Sequence, residues 1–312
     1  MNILFHSNQL GVRGTEVALY DYAHYNETIL GNVSYIAAPA SSDLSALQKF
    51  KTRFGDRVVL YNDFGEIIYS SAFVIDVAYF IKAGFNDGLL HPLAKNIVHA
   101  VFNASDKHGD VYVAVSEWLG NVHNVDYLPH IVSLPSITED FRDFIGFSQD
   151  DVVFGRYGGY DQFDVPYLGD AIKAAADTGI KFLFMNTKPF NYQHPNIKYS
   201  EANTDLTTKT AFINSCDAMI HGRNEGESFG LSIAEFLHQN KPVVTNIHCR
   251  DRNHIHVLGD KGMYYSNVNE LYGILTSFQK KDYNVKSLVD QFKPEVVMEK
   301  FKTLLNYGSS IS

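Results

Sequence analysis

The chain has 312 residues, 45% of them hydrophobic, which allows one large or two medium globular domains and excludes the disordered and fibrous classes. The formal net charge is −9, and residues 1–150 hold most of the excess, with 9 Lys and Arg against 17 Asp and Glu. Such an acidic half argues against nucleic acid as a partner. The two cysteines, Cys216 and Cys249, argue against a disulfide framework.

The first residues are apolar but lack the basic start and the cleavage site of a signal peptide. No apolar run approaches the roughly 18 residues that a membrane helix requires. We therefore expect a cytoplasmic protein without a transmembrane segment, and the sequence leaves association with a membrane surface open.

Short apolar segments alternate with helical patterns along the first half of the chain. Residues 2–6 predict a buried strand and residues 15–23 a helix. The turn between them contains Gly11 and Gly14, and such a turn is where open α/β sheets bind ligands, although a plain turn is an equal alternative. The alternation predicts a parallel sheet with helices on both faces. The further predicted strands are residues 33–37, 58–60, 73–75 and 96–99.

The second half repeats this alternation after a polar stretch, residues 138–151, which is the predicted linker. It opens with a strand that runs into a glycine-rich loop, residues 151–159. The predicted domains are residues 1–145, residues 146–290 and a C-terminal helical segment, residues 291–312. The other predicted elements are strands at 181–186, 216–221 and 242–245 and helices at 204–215, 269–278 and 294–305.

The stretch 222–236 is typical of a strand end, a tight loop and a helix. A helix N-terminus presents backbone N–H groups and the positive end of the helix dipole, so the residues that open this helix predict a seat for phosphate oxygens. Glu227 precedes the helix and Glu235 lies about two turns into it. One carboxylate could accept hydrogen bonds from sugar hydroxyls and the other from a ribose diol. An ordinary amphipathic helix with solvated glutamates is the alternative.

The segment GESFGLSIAEF, residues 226–236, resembles the donor-binding motif of retaining GT-B glycosyltransferases, most closely glycosyltransferase family 4. The resemblance implies an α/β chain of two Rossmann-like domains facing each other across a cleft. The donor would bind the second domain and the acceptor the first, with the last helix packing back toward the first. In this pattern Glu227 contacts the transferred sugar and Glu235 contacts the ribose. The segment RGTE, residues 13–16, which contains Gly14, is similar to the family's glycine loop. The implied substrate-binding residues are Gly14, Thr15, Ser228, Phe229, Gly230, Leu231 and Glu235.

Two further residues match the family pattern. Arg156 resembles the arginine that contacts the donor phosphates, and an always-charged guanidinium suits the stabilisation of a phosphate leaving group. His99 ends a predicted strand where the family has a histidine near the bond that breaks, although a core or surface imidazole is an equal alternative. The implied catalytic residues are His99, Arg156 and Glu227.

The chain departs from the family at one cation. The family's second phosphate-binding lysine would lie near Gln162, and the next lysine in this sequence is Lys173. Loss of one cation from such a site costs a few kcal/mol of transition-state stabilisation, on the order of one oxyanion donor. Either turnover is slow or another cation substitutes, and Arg250 or Arg252, in the loop 246–256, is the predicted substitute.

The same loop raises the alternative of a metal site, because it carries histidines and a cysteine. Their spacing gives no clear four-ligand set, so a polar surface loop is favoured. Because the retaining enzymes that the motif resembles are generally metal-independent, we expect neither a metal nor a cofactor besides the donor substrate. The residues concerned are His248, Cys249, His254 and His256.

The resemblance therefore implies a metal-independent retaining glycosyltransferase that moves a sugar from a nucleotide-sugar donor to a glycan or small-molecule acceptor. A sugar-nucleotide epimerase or a phosphorylase of the same fold is one alternative, although no pyridoxal-binding lysine stands out. The other is a non-catalytic domain that binds nucleotide sugars, which the missing lysine favours and the intact motif glutamates disfavour. The sequence does not identify the sugar, the base or the acceptor.

Overall fold

The computed structural model describes residues 1–11, 14–68 and 74–307 of the chain. Two compact units divide it: Met1–Ile131 with Gln291–Ser312 forms the N-terminal unit, and Val132–Asp290 forms the C-terminal unit. The division after residue 290 coincides with the predicted one, whereas the first division lies at residue 131 and not at residue 145.

The N-terminal unit alternates strands and helices as the sequence predicts. Its elements are β1 (Asn2–Ser7), α1 (Gly14–Thr28), β2 (Val33–Pro39), α2 (Leu44–Phe54), β3 (Val58–Tyr61), α3 (Gly65–Ile68), β4 (Val77–Lys82), β5 (Lys95–Ala100), β6 (Val111–Ala114) and α4 (Glu117–His123). The six strands form one parallel sheet in the order β3-β2-β1-β4-β5-β6. The central strands β1 and β4 are buried along almost their whole length, which explains their nearly continuous apolar sequences.

The strand predicted at residues 73–75 is misplaced. Phe73 lies outside the described residues, and Val74 is 78% exposed. The strand β4 begins at Val77, which pairs with Ile3 of β1. A run of three apolar residues indicates a nearby strand but does not fix the register in which the segment joins the sheet.

The C-terminal unit repeats the architecture. Its elements are α5 (Arg142–Ile145), β7 (Val153–Tyr157), α6 (Leu168–Asp177), β8 (Lys181–Met185), β9 (Ile197–Ser200), α7 (Leu206–Asn214), β10 (Ala218–His221), β11 (Gly226–Glu227), α8 (Leu231–His238), β12 (Val243–Asn246), β13 (Asp251–Arg252), α9 (Asn253–Leu258), β14 (Met263–Tyr265) and α10 (Val268–Ser277). Six strands form the parallel sheet β14-β12-β10-β7-β8-β9, and β11 pairs with β13 separately. Helices and aromatic side chains such as Phe154, Phe182 and Phe184 form its buried core.

Each sheet has one point at which the strand order reverses, between β1 and β4 in the N-terminal unit and between β7 and β10 in the C-terminal unit. In open α/β sheets, ligands bind outside the carboxyl ends of the strands at such a switch point. The fold therefore directs attention to the loops that follow β7 and β10, where the sequence motif lies.

The last helix, α11 (Pro294–Asn306), packs on the N-terminal unit. The ring of Phe301 lies 5.5 Å from Tyr22, 5.6 Å from Tyr79 and 6.2 Å from Phe5, between ring centroids. The ammonium of Lys95 donates to the backbone carbonyls at the end of this helix, where cations satisfy unpaired carbonyls. This is the packing that the resemblance implied for the last helix.

The stretch predicted as the linker belongs to the C-terminal unit. The guanidinium of Arg142 donates to Asp217 at 2.9 Å and to the backbone carbonyls of Ser148 and Asp151. The Arg142 side chain is 4% exposed. Polar composition suggested a linker here, but the buried Arg142 ties the segment to the sheet. Among the helices of the described residues, none has the length and apolar character needed to cross a membrane.

Candidate functional site

The motif forms a strand, loop and helix, as predicted, and two glycines fix its path. Gly230 has φ of +87° and caps α8, which begins at Leu231. Gly226 has φ of +80°, and a Cβ there would lie 2.0 Å from the carbonyl oxygen of Asp251. Only glycine tolerates both the positive φ and this close approach. The ladder of β11 and β13 therefore holds Glu227 immediately before the N-terminus of α8.

The carboxylate of Glu227 contacts two protein side chains and is partly exposed to solvent. Its Oε2 accepts a hydrogen bond from Arg223 at 3.1 Å, and its Oε1 lies 3.3 Å from Nε2 of His221. The side chain is 19% exposed. A carboxylate has about four lone-pair sites, so two remain for ligand hydroxyl groups. The arrangement suits recognition of a polyhydroxylated ligand.

Both oxygens of the Glu235 carboxylate accept hydrogen bonds from protein side chains. Its Oε1 accepts from the ammonium of Lys209 at 3.0 Å, and its Oε2 accepts from the hydroxyl of Tyr157. The residue is 3% exposed. In this structure Glu235 is not open to a ligand, so its contact with a ribose stays a prediction.

Arg156 lies in the last part of β7, at the switch point. Its guanidinium donates to Oγ1 of Thr187 at 2.5 Å and to the carbonyl of Gly159 at 2.7 Å. Burial lowers the pKa of Arg156 to about 10, whereas the nearby Glu227 and Asp164 carboxylates act in the opposite direction. The group therefore stays charged at neutral pH, its two short hydrogen bonds go to neutral oxygens, and Glu227 lies within its electrostatic reach.

Burial and a hydrogen bond from Asn253 fix the residues between Glu227 and α8. Ser228 and Phe229 are buried, and the carbonyl of Phe229 accepts from the side-chain amide of Asn253 at 2.7 Å. Leu231 is partly exposed at the start of the helix. The positive end of the α8 dipole and the Glu227 carboxylate thus share one edge of the sheet.

The remaining predicted site residues lie in the N-terminal unit. Gly14 is exposed at the start of α1, Thr15 follows it, and Arg13 of the predicted glycine loop lies outside the described residues. His99 is 0% exposed, and its Nδ1 lies 2.5 Å from the hydroxyl of Tyr79.

Burial also holds the pKa of His99 well below its ordinary value, helped by the neighbouring His130. The ring is therefore a neutral core imidazole in this structure, and its contact with a sugar stays a prediction.

The role of Arg250 or Arg252 as the substitute cation stays a prediction. Arg250 is bound to Asp251 at 3.0 Å with its side chain 70% exposed, and Arg252 donates to the carbonyl of Ile247. Two cations contact the motif glutamates: Lys209 contacts Glu235, and Arg223 contacts Glu227. Lys209 carries no sequence signal because it reaches Glu235 from another helix.

The prediction of a polar surface loop at residues 246–256 is wrong in its second part. Residues 251–252 form β13 and α9 begins at Asn253, with His254 only 1% exposed. Two buried polar side chains of this segment support the motif: Asn253 donates to the carbonyl of Phe229, and the ring of His254 lies 4.8 Å from that of His221. Within the part of the chain that the structure describes, no three His, Cys, Asp or Glu residues are grouped so that they could hold a metal ion.

Comparison with known proteins gives a match in structure only. No protein-family model matches the sequence, and no curated protein is found as a relative. Anabaena HepE, solved in complex with UDP-glucose, superposes with a TM-score of 0.74 at 14% identity, with 100% of both chains covered. A glycosyltransferase from Rickettsia africae gives 0.68 at 13% identity, covering 100% of this chain and 99% of the other. WaaG, a glycosyltransferase of lipopolysaccharide biosynthesis, gives 0.61 at 9% identity, covering 98% and 100%.

The chain has the GT-B fold. Its two six-stranded parallel sheets are the two Rossmann-like domains of that fold, as the sequence motif implied. In this GT-B chain, Arg156, Glu227 and the N-terminus of α8 are brought together in the C-terminal unit, whereas Gly14, Thr15 and His99 lie in the N-terminal unit.

Proposed function

We propose that the chain is a glycosyltransferase that transfers a sugar from a nucleotide-sugar donor to a glycan or small-molecule acceptor. The proposal rests on three groups that lie at the same switch point: the buried cation Arg156, the partly exposed carboxylate Glu227 and the N-terminus of α8. The cation and the helix N-terminus can bind a diphosphate, and the carboxylate can accept hydrogen bonds from sugar hydroxyls. HepE of the same fold binds UDP-glucose, which supports this reading.

The proposed reaction breaks the bond between the anomeric carbon of the sugar and the donor phosphate oxygen. A bond then forms from that carbon to an acceptor oxygen, whose proton passes to the departing diphosphate. Negative charge grows on the diphosphate as the bond breaks. Arg156 and the N-terminus of α8 would stabilise this charge without a metal, and Glu227 would hold the sugar hydroxyls.

We further propose that the transfer retains the anomeric configuration, with the acceptor entering on the face from which the diphosphate leaves. The acceptor would bind the N-terminal unit, whose switch point between β1 and β4 is the corresponding place in its sheet. Glu235 would bind the ribose only after exchanging its contact with Tyr157 or Lys209 for the ligand hydroxyls.

A thermal-shift panel of UDP-, GDP- and dTDP-glucose tests the donor class. A donor at about 100 times its dissociation constant stabilises the folded chain by about 2.7 kcal/mol. Glu227→Gln should lower donor affinity by about 10- to 100-fold, as expected for loss of a hydrogen bond to a charged group. Glu299→Gln, an exposed carboxylate of α11, is the matched control and should bind as the wild type. The proposal fails if no donor raises the melting temperature, or if E227Q binds like the wild type.

A non-catalytic domain that binds nucleotide sugars is the second candidate. The burial of His99 favours it, because the resemblance places this side chain near the bond that breaks and in the structure it is not open to a substrate. Consumption of a bound donor in the presence of candidate acceptors separates the two functions. Release of the nucleoside diphosphate with a glycosylated product supports the transferase.

A further inference from the structure

We propose that His221 is a positioning residue that orients the Glu227 carboxylate toward the sugar of the donor, so that it sets affinity for the sugar separately from affinity for the nucleoside diphosphate. This inference rests on the proposed function. It concerns a residue that lies at the end of β10, is 4% exposed and faces the switch point.

The two ring nitrogens of His221 have different partners, Glu227 on one side and Thr245 on the other. An ionised carboxylate only accepts, so Nε2 of His221 carries the proton that bridges the 3.3 Å to Oε1 of Glu227. In the neutral ring Nδ1 is then an acceptor, and it lies 2.8 Å from Oγ1 of Thr245. The Thr245 hydroxyl therefore donates to the ring, and the ring donates to Glu227. This chain fixes the tautomer as well as the position of the imidazole.

Packing around the ring leaves it little freedom. His254 lies 4.8 Å away between ring centroids, and the hydroxyl of Tyr265 donates to the backbone carbonyl of His221 at 2.8 Å. Thr245 is 0% exposed and stands opposite His221 in the β10–β12 pairing. The donor to Oε1 is therefore a rigid part of the sheet.

The donor to the other oxygen is less constrained. Arg223 holds Oε2 of Glu227 at 3.1 Å but also donates to Glu225 at 3.1 Å, whose side chain is 52% exposed. Without His221, the Glu227 carboxylate can follow Arg223 and leave the orientation that it has in the wild type. The guanidinium of Arg156, which would meet the diphosphate, is held by Asn186, Thr187 and Gly159 and keeps these hydrogen bonds when His221 is replaced.

The test compares two affinities in each variant by isothermal titration calorimetry. The probes are the glucose donor, among UDP-, GDP- and dTDP-glucose, that gives the largest thermal shift, and its nucleoside diphosphate without sugar. His221→Ala should weaken binding of the nucleotide sugar by about 10-fold or more, as for loss of a hydrogen bond to a charged group, and change nucleoside diphosphate binding less than about 2-fold. His221→Gln should restore part of the loss, because its side-chain amide can donate to Glu227.

Two further variants complete the test. Thr245→Val keeps the ring of His221 but removes the donor to Nδ1. It should therefore weaken binding of the nucleotide sugar less than His221→Ala does, again with little change in nucleoside diphosphate binding. If His221→Ala does not fold, Thr245→Val takes its place in the test. The matched control is His194→Gln, because His194 also contacts a carboxylate, that of Asp177 at 3.2 Å, and contacts neither motif glutamate. It should bind both probes like the wild type.

Equal losses for both probes in H221A would overturn the positioning role and indicate a general structural one. Unchanged affinity for the nucleotide sugar in H221A and T245V would also overturn it. If the wild type binds none of the three donors, the proposed function itself is contradicted and the inference falls with it. Binding by the wild type with unaltered variants refutes the role of His221 alone.

Discussion

The carboxylate of Glu235 is buried with the ammonium of Lys209, 3.0 Å away. Breaking one half of a buried ion pair leaves an uncompensated charge, which costs about 3–5 kcal/mol. We therefore expect Lys209→Met to lower the free energy of unfolding of the C-terminal unit by that amount, measured by urea denaturation. Lys173→Met removes an exposed i,i+4 pair with Asp177 and should change stability by less than about 0.5 kcal/mol.

The double variant K209M/E235Q separates packing from ligand binding. It removes both charges, so it should recover most of the stability lost in K209M. If Glu235 also binds the ribose, the double variant should bind the donor more weakly than the wild type does, although its stability is restored. A K209M variant as stable as the wild type would show that the pair is not buried as the structure has it.

The motif identified Glu227 and Glu235 because their spacing and their neighbours are local in sequence. The partners that decide their chemistry are not local: Lys209 lies 26 residues from Glu235, and Tyr157 lies 78 residues from it. His221 and Arg223 are close in sequence to Glu227, yet only the turn at Gly226 brings them onto its carboxylate. Sequence reasoning could thus name the two acids but not which of them is open.

At the scale of elements, the short ladder of β11 and β13 sets the position of Glu227. Gly226→Ala would place a Cβ 2.0 Å from the carbonyl of Asp251 and would force an unfavourable φ of +80° on alanine. We expect a loss of stability well above the roughly 1–2 kcal/mol that a left-handed residue costs, and a loss of donor binding as the ladder shifts. Differential scanning fluorimetry with and without donor measures both.

Gly146→Ala is the control for this change. Gly146 has φ of +74° in the same unit, but a Cβ there would meet nothing within 4 Å. It should therefore show the cost of the positive φ alone, with donor binding retained. If G226A and G146A behaved alike, the close approach of β13 to the motif loop would be wrong.

The alternation of strands and helices was predictable, because strands buried on both faces are apolar along their length, as β4 and β10 are. The first domain boundary was not, since Arg142 makes a polar segment part of the C-terminal unit through buried hydrogen bonds. The helix α9 was missed for a similar reason. Asn253 and His254 are residue types typical of a loop, but both are buried beneath the motif.

At the scale of the whole molecule, buried neutral histidines make the stability of the N-terminal unit depend on pH. Burial lowers the pKa of His6 and of His130 to about 3, and that of His99 well below its ordinary value. The unfolded chain binds protons at these positions below pH about 6.5, whereas the folded chain does not. Stability is therefore present above this pH and falls as the pH drops toward about 3, by up to about 1.4 kcal/mol per histidine and pH unit.

Urea unfolding followed by the fluorescence of the single tryptophan, Trp118 of the N-terminal unit, measures this dependence between pH 7.5 and 4.5. His130→Leu removes one of the three groups and should make the slope shallower by about one proton. Equal slopes in the variant and the wild type would contradict a neutral, buried His130.

The most direct test of the whole account is a crystal structure with a nucleotide sugar such as UDP-glucose. The account predicts diphosphate oxygens at the N-terminus of α8 beside Arg156, with sugar hydroxyls within about 3 Å of the Glu227 carboxylate. A nucleotide sugar bound at the switch point between β1 and β4, with the edge around Glu227 empty, would contradict it.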